Sequence, residues 1–273
     1  MLESYESIIP TAILTSYPRI FTDIMYEKDI YNWIESNCSS KIKLNKSLAP
    51  EIEARYKLIN KLLDKLNIYQ VLEIASGYSS RGLIYSKKGY NYVEMDLPDV
   101  SNIKKKLIDD LFESSNNLHI VSGNAISYDD YIKCDEYFDS DKELVVINEG
   151  LFRYLTFDEK KKVGQNIYSL LKKHGGVWIT CDITPKGFID KQDKINPSLD
   201  DDINSITSRN NLNDRFESKE HVRSFFEEIG FKDIEFHKFI EVKDELKSFE
   251  ILGLDSNSYN ELLDSALVAV FKI

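Results

Sequence analysis

The chain predicts an α/β fold: a parallel, doubly wound sheet entered through a helical segment and completed by two late strands. Three observations predict it. From Gln70 onward short apolar runs, at 70–75, 91–96, 118–122, 143–148 and 176–182, alternate with helical patterns at 81–88, 99–113, 125–133 and 156–173, and that alternation implies right-handed crossovers. The first run, Val71-Leu72-Glu73-Ile74, has apolar residues on both sides, as a strand covered on both faces requires, and it ends in the turn Ala75-Ser76-Gly77-Tyr78-Ser79-Ser80-Arg81-Gly82. The second run ends in Glu94-Met95-Asp96-Leu97-Pro98. A carboxylate at that strand end can accept hydrogen bonds from both hydroxyls of a ribose.

The elements follow in order. Residues 1–67 read as a helical N-terminal cap. Phe21 to Ser36 carries apolar residues at mixed helical spacing, and Ala49 to Leu66 is opened by Pro50 with Ile52, Tyr56, Ile59, Leu63 and Leu66 at steps of three and four. Residues 68–273 carry the sheet. Gly175-Gly176 stops the long helix before the fifth strand. The stretch at about 185–217 is polar, with Asp200-Asp201-Asp202 and Asn210-Asn211, and its length after a sheet strand suggests a lid. Glu217 to Ile229 then puts Val222, Phe225, Phe226 and Ile229 on one helical face, and 231–240 and 265–271 read as closing strands.

Composition narrows the classes. The chain has 273 residues, 42% hydrophobic, with a formal net charge of −11. That charge disfavours a nucleic-acid partner, which needs a basic face. The three cysteines, Cys38, Cys134 and Cys181, are far apart, odd in number and without metal spacing. No apolar run approaches the roughly 20 residues of a membrane span. Met1-Leu2-Glu3-Ser4-Tyr5-Glu6 lacks the basic start of a signal peptide. The expectation is a cytoplasmic protein with no membrane partner; composition says nothing of oligomeric state.

The turn after the first strand has one well-placed glycine, Gly77, where a dinucleotide fingerprint has three. There is also no Gly-Lys-Ser/Thr phosphate loop. A ribose carboxylate without a phosphate cradle suits S-adenosylmethionine. The order of motifs resembles the leucine carboxyl methyltransferase-like family of class I S-adenosylmethionine-dependent methyltransferases, which includes predicted polyketide O-methyltransferases. The resemblance is carried by Ala54-Arg55-Tyr56 before the sheet, Ala75-Ser76-Gly77-Tyr78-Ser79-Ser80-Arg81 at the turn, Glu94-Met95-Asp96-Leu97-Pro98, and Asn148-Glu149-Gly150-Leu151-Phe152-Arg153-Tyr154-Leu155. Ala75, Ser79 and Asn124 depart from the family pattern. The resemblance implies a Rossmann-like class I methyltransferase sheet with a helical N-terminal cap and a lid insertion after the fifth strand.

Roles follow from the residues and from the family. Asp96, beside Leu97, is expected to accept the ribose hydroxyls, with an N-cap before Pro98 as the other role. Glu73 is expected to orient the amides of the Gly77 turn. Arg55 and Arg81 are candidates for the cofactor carboxylate, where a guanidinium fork makes paired hydrogen bonds. The resemblance favours Arg55, and it adds Arg19. Asn124, with Ala125 beside it, can contact the adenine edge. Glu149 is expected to pair with the cofactor α-amino group. Tyr154 and Arg153 are expected beside the methyl acceptor, with Arg153 suited to an anion; the other readings are a core aromatic for Tyr154 and a solvent-facing first-turn residue for Arg153.

None of His119, His174, His221 and His237 falls at the carboxyl end of a strand. A neutral acceptor commonly needs a base, whereas a carboxylate is already ionised. The expectation is therefore O-methylation of a small molecule, a carboxylate or hydroxyl of polyketide type, without a metal. Two alternatives stand beside it: a scaffold that binds the cofactor without catalysis, and a nicotinamide oxidoreductase.

Overall fold

The computed structural model describes residues 9–38, 45–113, 115–188, 191–192 and 214–273. Five parallel strands form first: β1 (Gln70–Ile74), β2 (Asn91–Asp96), β3 (Leu118–Ser122), β4 (Leu144–Asn148) and β5 (Gly176–Thr180). β6 (Asp233–Lys238) and β7 (Leu267–Lys272) pair with each other antiparallel, and β7 also runs antiparallel to β5. The order across the sheet is β3-β2-β1-β4-β5-β7-β6. It reverses direction between β1 and β4, which is where a doubly wound sheet opens a crevice for a ligand.

The central strands are apolar throughout because both faces are covered. β1 and β4 are buried at every position. On one face Trp178 stacks on Phe271 at 4.6 Å between ring centres, with Phe226 against both. The other face holds Leu58, Ile59, Tyr92, Val145 and Ile179. Gly176 is required where β5 begins: at φ 101° a Cβ would lie 2.0 Å from the Leu144 carbonyl oxygen.

The helices are α1 (Ile9–Arg19), α2 (Glu27–Asn37), α3 (Ala49–Asp64), α4 (Arg81–Lys87), α5 (Pro98–Leu111), α6 (Tyr128–Asp135), α7 (Phe157–His174), α8 (Lys219–Glu227), α9 (Ser248–Leu252) and α10 (Asn260–Ser265). The first three bury their apolar faces in clusters shared with the sheet layers. Ile13, Ile30 and Ile34 meet Tyr78, Leu83 and Val100, while Leu14 and Ile52 meet Tyr154.

Three details differ from the sequence reading. The helix expected from Phe21 begins at Glu27 and is preceded by the separate helix α1; the chain reverses between them through Tyr26 at φ 69°. The helix expected from Ala125 begins at Tyr128, because the Asn124 side-chain oxygen accepts the Ile126 amide at 3.1 Å and holds a turn instead. Between the closing strands lie a 3₁₀ segment, Phe239–Glu245, and the helices α9 and α10. These pieces are too short to display a helical period. The lid expected at about 185–217 lies largely outside the described residues.

Candidate functional site

A cavity opens at the carboxyl ends of β1 to β4, with Ala12 and Arg19 of α1 and Arg55 of α3 on its other side. Its floor is the turn after β1. Ala75 and Gly77 both take left-handed φ, 54° and 53°. A non-glycine residue there is uncommon, and Ala75 adopts it at the position where the sequence departs from the family glycine. The Ala75 amide donates to the Met95 carbonyl at 2.7 Å, which ties the turn to β2.

Asp96 lies at the end of β2 in the cavity wall. Its Oδ2 accepts the Gly77 amide at 2.6 Å and its Oδ1 accepts the Leu97 amide at 2.7 Å. Burial pushes its carboxyl above the usual range, and the two amides pull it back only in part. Asp96 therefore organises the turn. This corrects the role expected for Glu73, whose oxygens face side chains instead: Arg81 on one and the Tyr92 hydroxyl, at 2.8 Å, on the other.

A buried charge network joins the first helices to the sheet. Arg81 is completely buried, does not line the cavity, and bridges Glu73 and Glu149, the latter at 2.8 Å. Its Nε donates to Asn60 and its guanidinium lies 4.4 Å from the centre of the Tyr56 ring. The expectation that Arg81 meets the cofactor carboxylate is corrected accordingly: both faces of its fork are occupied behind the wall.

Glu149 does line the cavity. It also accepts from Arg55 at 2.8 Å and Arg19 at 3.2 Å. Burial alone would raise its carboxyl, but Arg55, Arg81 and Arg19 together hold it well below the usual range. The expectation paired Glu149 with a cofactor amine; its oxygens here face three guanidinium groups. Glu27, buried on α2, accepts the Ser80 amide at 2.9 Å and sits 3.7 Å from Arg19.

The remaining candidates divide by position. Leu97, Asn124 and Ala125 line the cavity. Asn124 uses its side-chain oxygen in the local turn, and its backbone amide donates to Asp130 at 2.9 Å. Arg153 and Tyr154 stand on the 3₁₀ turn Phe152–Tyr154. Tyr154 packs its ring with Leu14, Leu48 and Ile52 while contributing to the wall. Arg153 lines this cavity and also a second one, whose walls it shares with Arg55 and Gly150.

Asp182 escaped the sequence reading. Just past β5, it accepts from the Asn148 side chain and from the amides of Gly150, Leu151 and Phe152, at 2.6 to 3.1 Å. Four donors on one carboxylate hold the loop after β4 in place. Its signal was the one used for Asp96, an acidic residue at a strand end.

The sequence profile of leucine carboxyl methyltransferase matches residues 23–168, more than half of the chain. The chain belongs to the leucine carboxyl methyltransferase family. It is an S-adenosylmethionine-dependent methyltransferase, and neither the scaffold nor the oxidoreductase reading is favoured.

Solved structures share the fold of this methyltransferase at low identity. A DUF574 family protein from Streptomyces avermitilis MA-4680 has a TM-score of 0.57 at 11% identity, over 94% of this chain and 96% of that one. A candidate methyltransferase from Thermobifida fusca YX gives 0.57 at 11%, over 95% and 94%. PigF with SAH gives 0.51 at 13%, over 96% of this chain and 61% of PigF. Among curated proteins none is significantly similar in sequence. Among the described residues no helix of this methyltransferase is long and apolar enough to cross a membrane.

The cavity fits the cofactor of the family. The Nε of Arg19 and the hydroxyl of Tyr78 are buried without a partner among the described residues, and both residues line the cavity. Buried polar groups are ordinarily satisfied, and a polar ligand in this cavity would satisfy them. Asp96 offers a carboxylate for the ribose, and Arg55 and Arg19 offer guanidinium donors for a carboxylate.

Proposed function

We propose that this methyltransferase transfers a methyl group to an oxygen of a small anionic molecule, most simply a carboxylate of polyketide type. The observation that carries the reading is the position of Arg153. It stands on the loop after β4 and faces both the cofactor cavity and the second cavity beyond it. A guanidinium at that boundary suits an ionised acceptor. None of the four histidines, all among the described residues, lines either cavity, in keeping with an acceptor that needs no neutral base.

When bound, S-adenosylmethionine supplies an electrophilic methyl on a sulfonium. The chain's own work is to bind and orient. Asp96 holds the ribose while keeping the Gly77 turn in shape. Arg55, assisted by Arg19, holds the carboxylate. Asp182 fixes the loop that carries Arg153. Tyr154 and Leu151 give the wall an apolar surface that excludes water. Orientation of this kind can contribute roughly 7–11 kcal/mol.

Two measurements check the proposal. Arg55→Ala should weaken S-adenosylhomocysteine by about 10- to 100-fold, the loss of a charged hydrogen bond. It should barely change methylthioadenosine, which has no carboxylate. Equal loss for both ligands would mean that Arg55 only holds the packing. At saturating acceptor, turnover should be nearly flat between about pH 6 and 8, because free carboxyl groups titrate near pH 4, and the product should be a methyl ester. A methyl ether product, or a rate that climbs steadily with pH, would assign the enzyme to hydroxyl acceptors instead.

A further inference from the structure

The second cavity contains a cation that the reading above does not use. Lys160 lies in the first turn of α7, is only 3% exposed, and belongs to the wall of the second cavity but not of the first. Its ammonium donates to the carbonyl oxygens of Leu155 at 2.6 Å and Asp214 at 2.5 Å. An ammonium carries three protons. The third has no oxygen acceptor among the described residues: the ammonium lies 5.0 Å from the centre of the Phe157 ring, and no carboxylate of those residues is within ion-pair distance of it.

A buried cation that no carboxylate of the described residues contacts directly is costly. Burial lowers the Lys160 ammonium to about 8, only partly offset by Asp214 and Asp182 at longer range. The acidic residues nearby are already engaged. Asp182 holds the loop through four donors, and Glu51 accepts the Gln192 amide at 2.7 Å. Four phenylalanines, Phe152, Phe188, Phe216 and Phe239, supply the apolar part of this wall, beside the charged Arg55, Arg153, Arg215 and Asp214.

We propose that Lys160 is the specificity-determining cation of the acceptor site, where its third N–H binds a carboxylate on an acceptor with a flat aromatic body seated among Phe188, Phe216 and Phe239. The proposal rests on the reading that the acceptor approaches from the Arg153 side. An aryl carboxylate matches both halves of the cavity. Its charge supplies a direct ion pair that the described residues do not give Lys160, and its ring covers apolar surface.

The test uses the full chain saturated with S-adenosylhomocysteine, whose binding is measured first. Benzoate and its neutral analogue benzamide are then titrated, followed by ligand-observed NMR. Benzoate should bind at least about tenfold more tightly than benzamide, a difference of about 1.4 kcal/mol. Lys160→Met should bring benzoate down to the benzamide level and leave S-adenosylhomocysteine within about twofold, whereas Lys160→Arg should retain the preference for benzoate.

Equal binding of benzoate and benzamide by the wild type, no binding of either, or an unchanged benzoate affinity in Lys160→Met would each overturn the proposal. Should Lys160→Met fail to fold, the wild-type comparison and Lys160→Arg decide. A wild type that does not bind S-adenosylhomocysteine would count against the cofactor site itself. Intact cofactor binding without a benzoate preference sinks only the role of Lys160.

Discussion

Replacing Arg81 with methionine is expected to lower the stability of the fold by about 3–5 kcal/mol, the cost of removing one partner from a buried ion pair. Arg81 has no exposed surface and bridges Glu73 on β1 to Glu149 after β4. Methionine fills much of the volume but leaves Glu73 with only the Tyr92 hydroxyl, and leaves Glu149 to Arg55 and Arg19. The sign with pH is also fixed. The Glu149 carboxyl is depressed in the folded wild type, so its contribution is present above the unfolded value and is lost as pH falls toward the folded one. Without Arg81 that depression shrinks. The gap between wild type and variant should therefore be wider near pH 7 than near pH 4. Urea unfolding at the two values measures it, and a loss under about 1 kcal/mol at neutral pH, the scale of a surface pair, would show that the network is not structural.

Asp96→Asn should weaken the cofactor by about 1–3 kcal/mol. It should do so equally for S-adenosylhomocysteine and methylthioadenosine, which share the ribose. That distinguishes it from Arg55→Ala. The variant should also lose thermal stability. One side-chain position becomes an NH2 group, which cannot accept the Gly77 or Leu97 amide that now points at it. Calorimetry on both ligands and a melting curve give the two numbers. A fall in melting temperature with unchanged affinity would leave Asp96 as an organiser of the turn and not a ribose ligand.

The two residues differ in how far the sequence revealed them. Asp96 was legible because its place is local: the end of an apolar run, 19 positions after Gly77. Arg81 was legible as a residue of interest but not in its role. Its fork was expected to meet a ligand carboxylate, and it meets two carboxylates of the chain, 8 and 68 positions away. An isolated arginine in a sequence does not show which anion it will face. Lys160 was passed over for the same reason. Lys160 looked like one of several lysines on an amphipathic helix, and only its burial against Asp214 sets it apart.

The sequence by itself determined the five parallel strands, the turn at Gly77, the carboxylate at Asp96 and the family. Each is a local pattern: strand-long apolar runs, a glycine that permits left-handed φ, and residues at fixed offsets from a strand end. The tertiary structure decided that β7 inserts between β5 and β6, that α1 stands apart from α2, and that Glu149 gathers three arginines from three different helices. It also decided which cations face a cavity. These depend on contacts between residues far apart in the chain, made where burial strips away water and leaves each charge to find its partner within the protein.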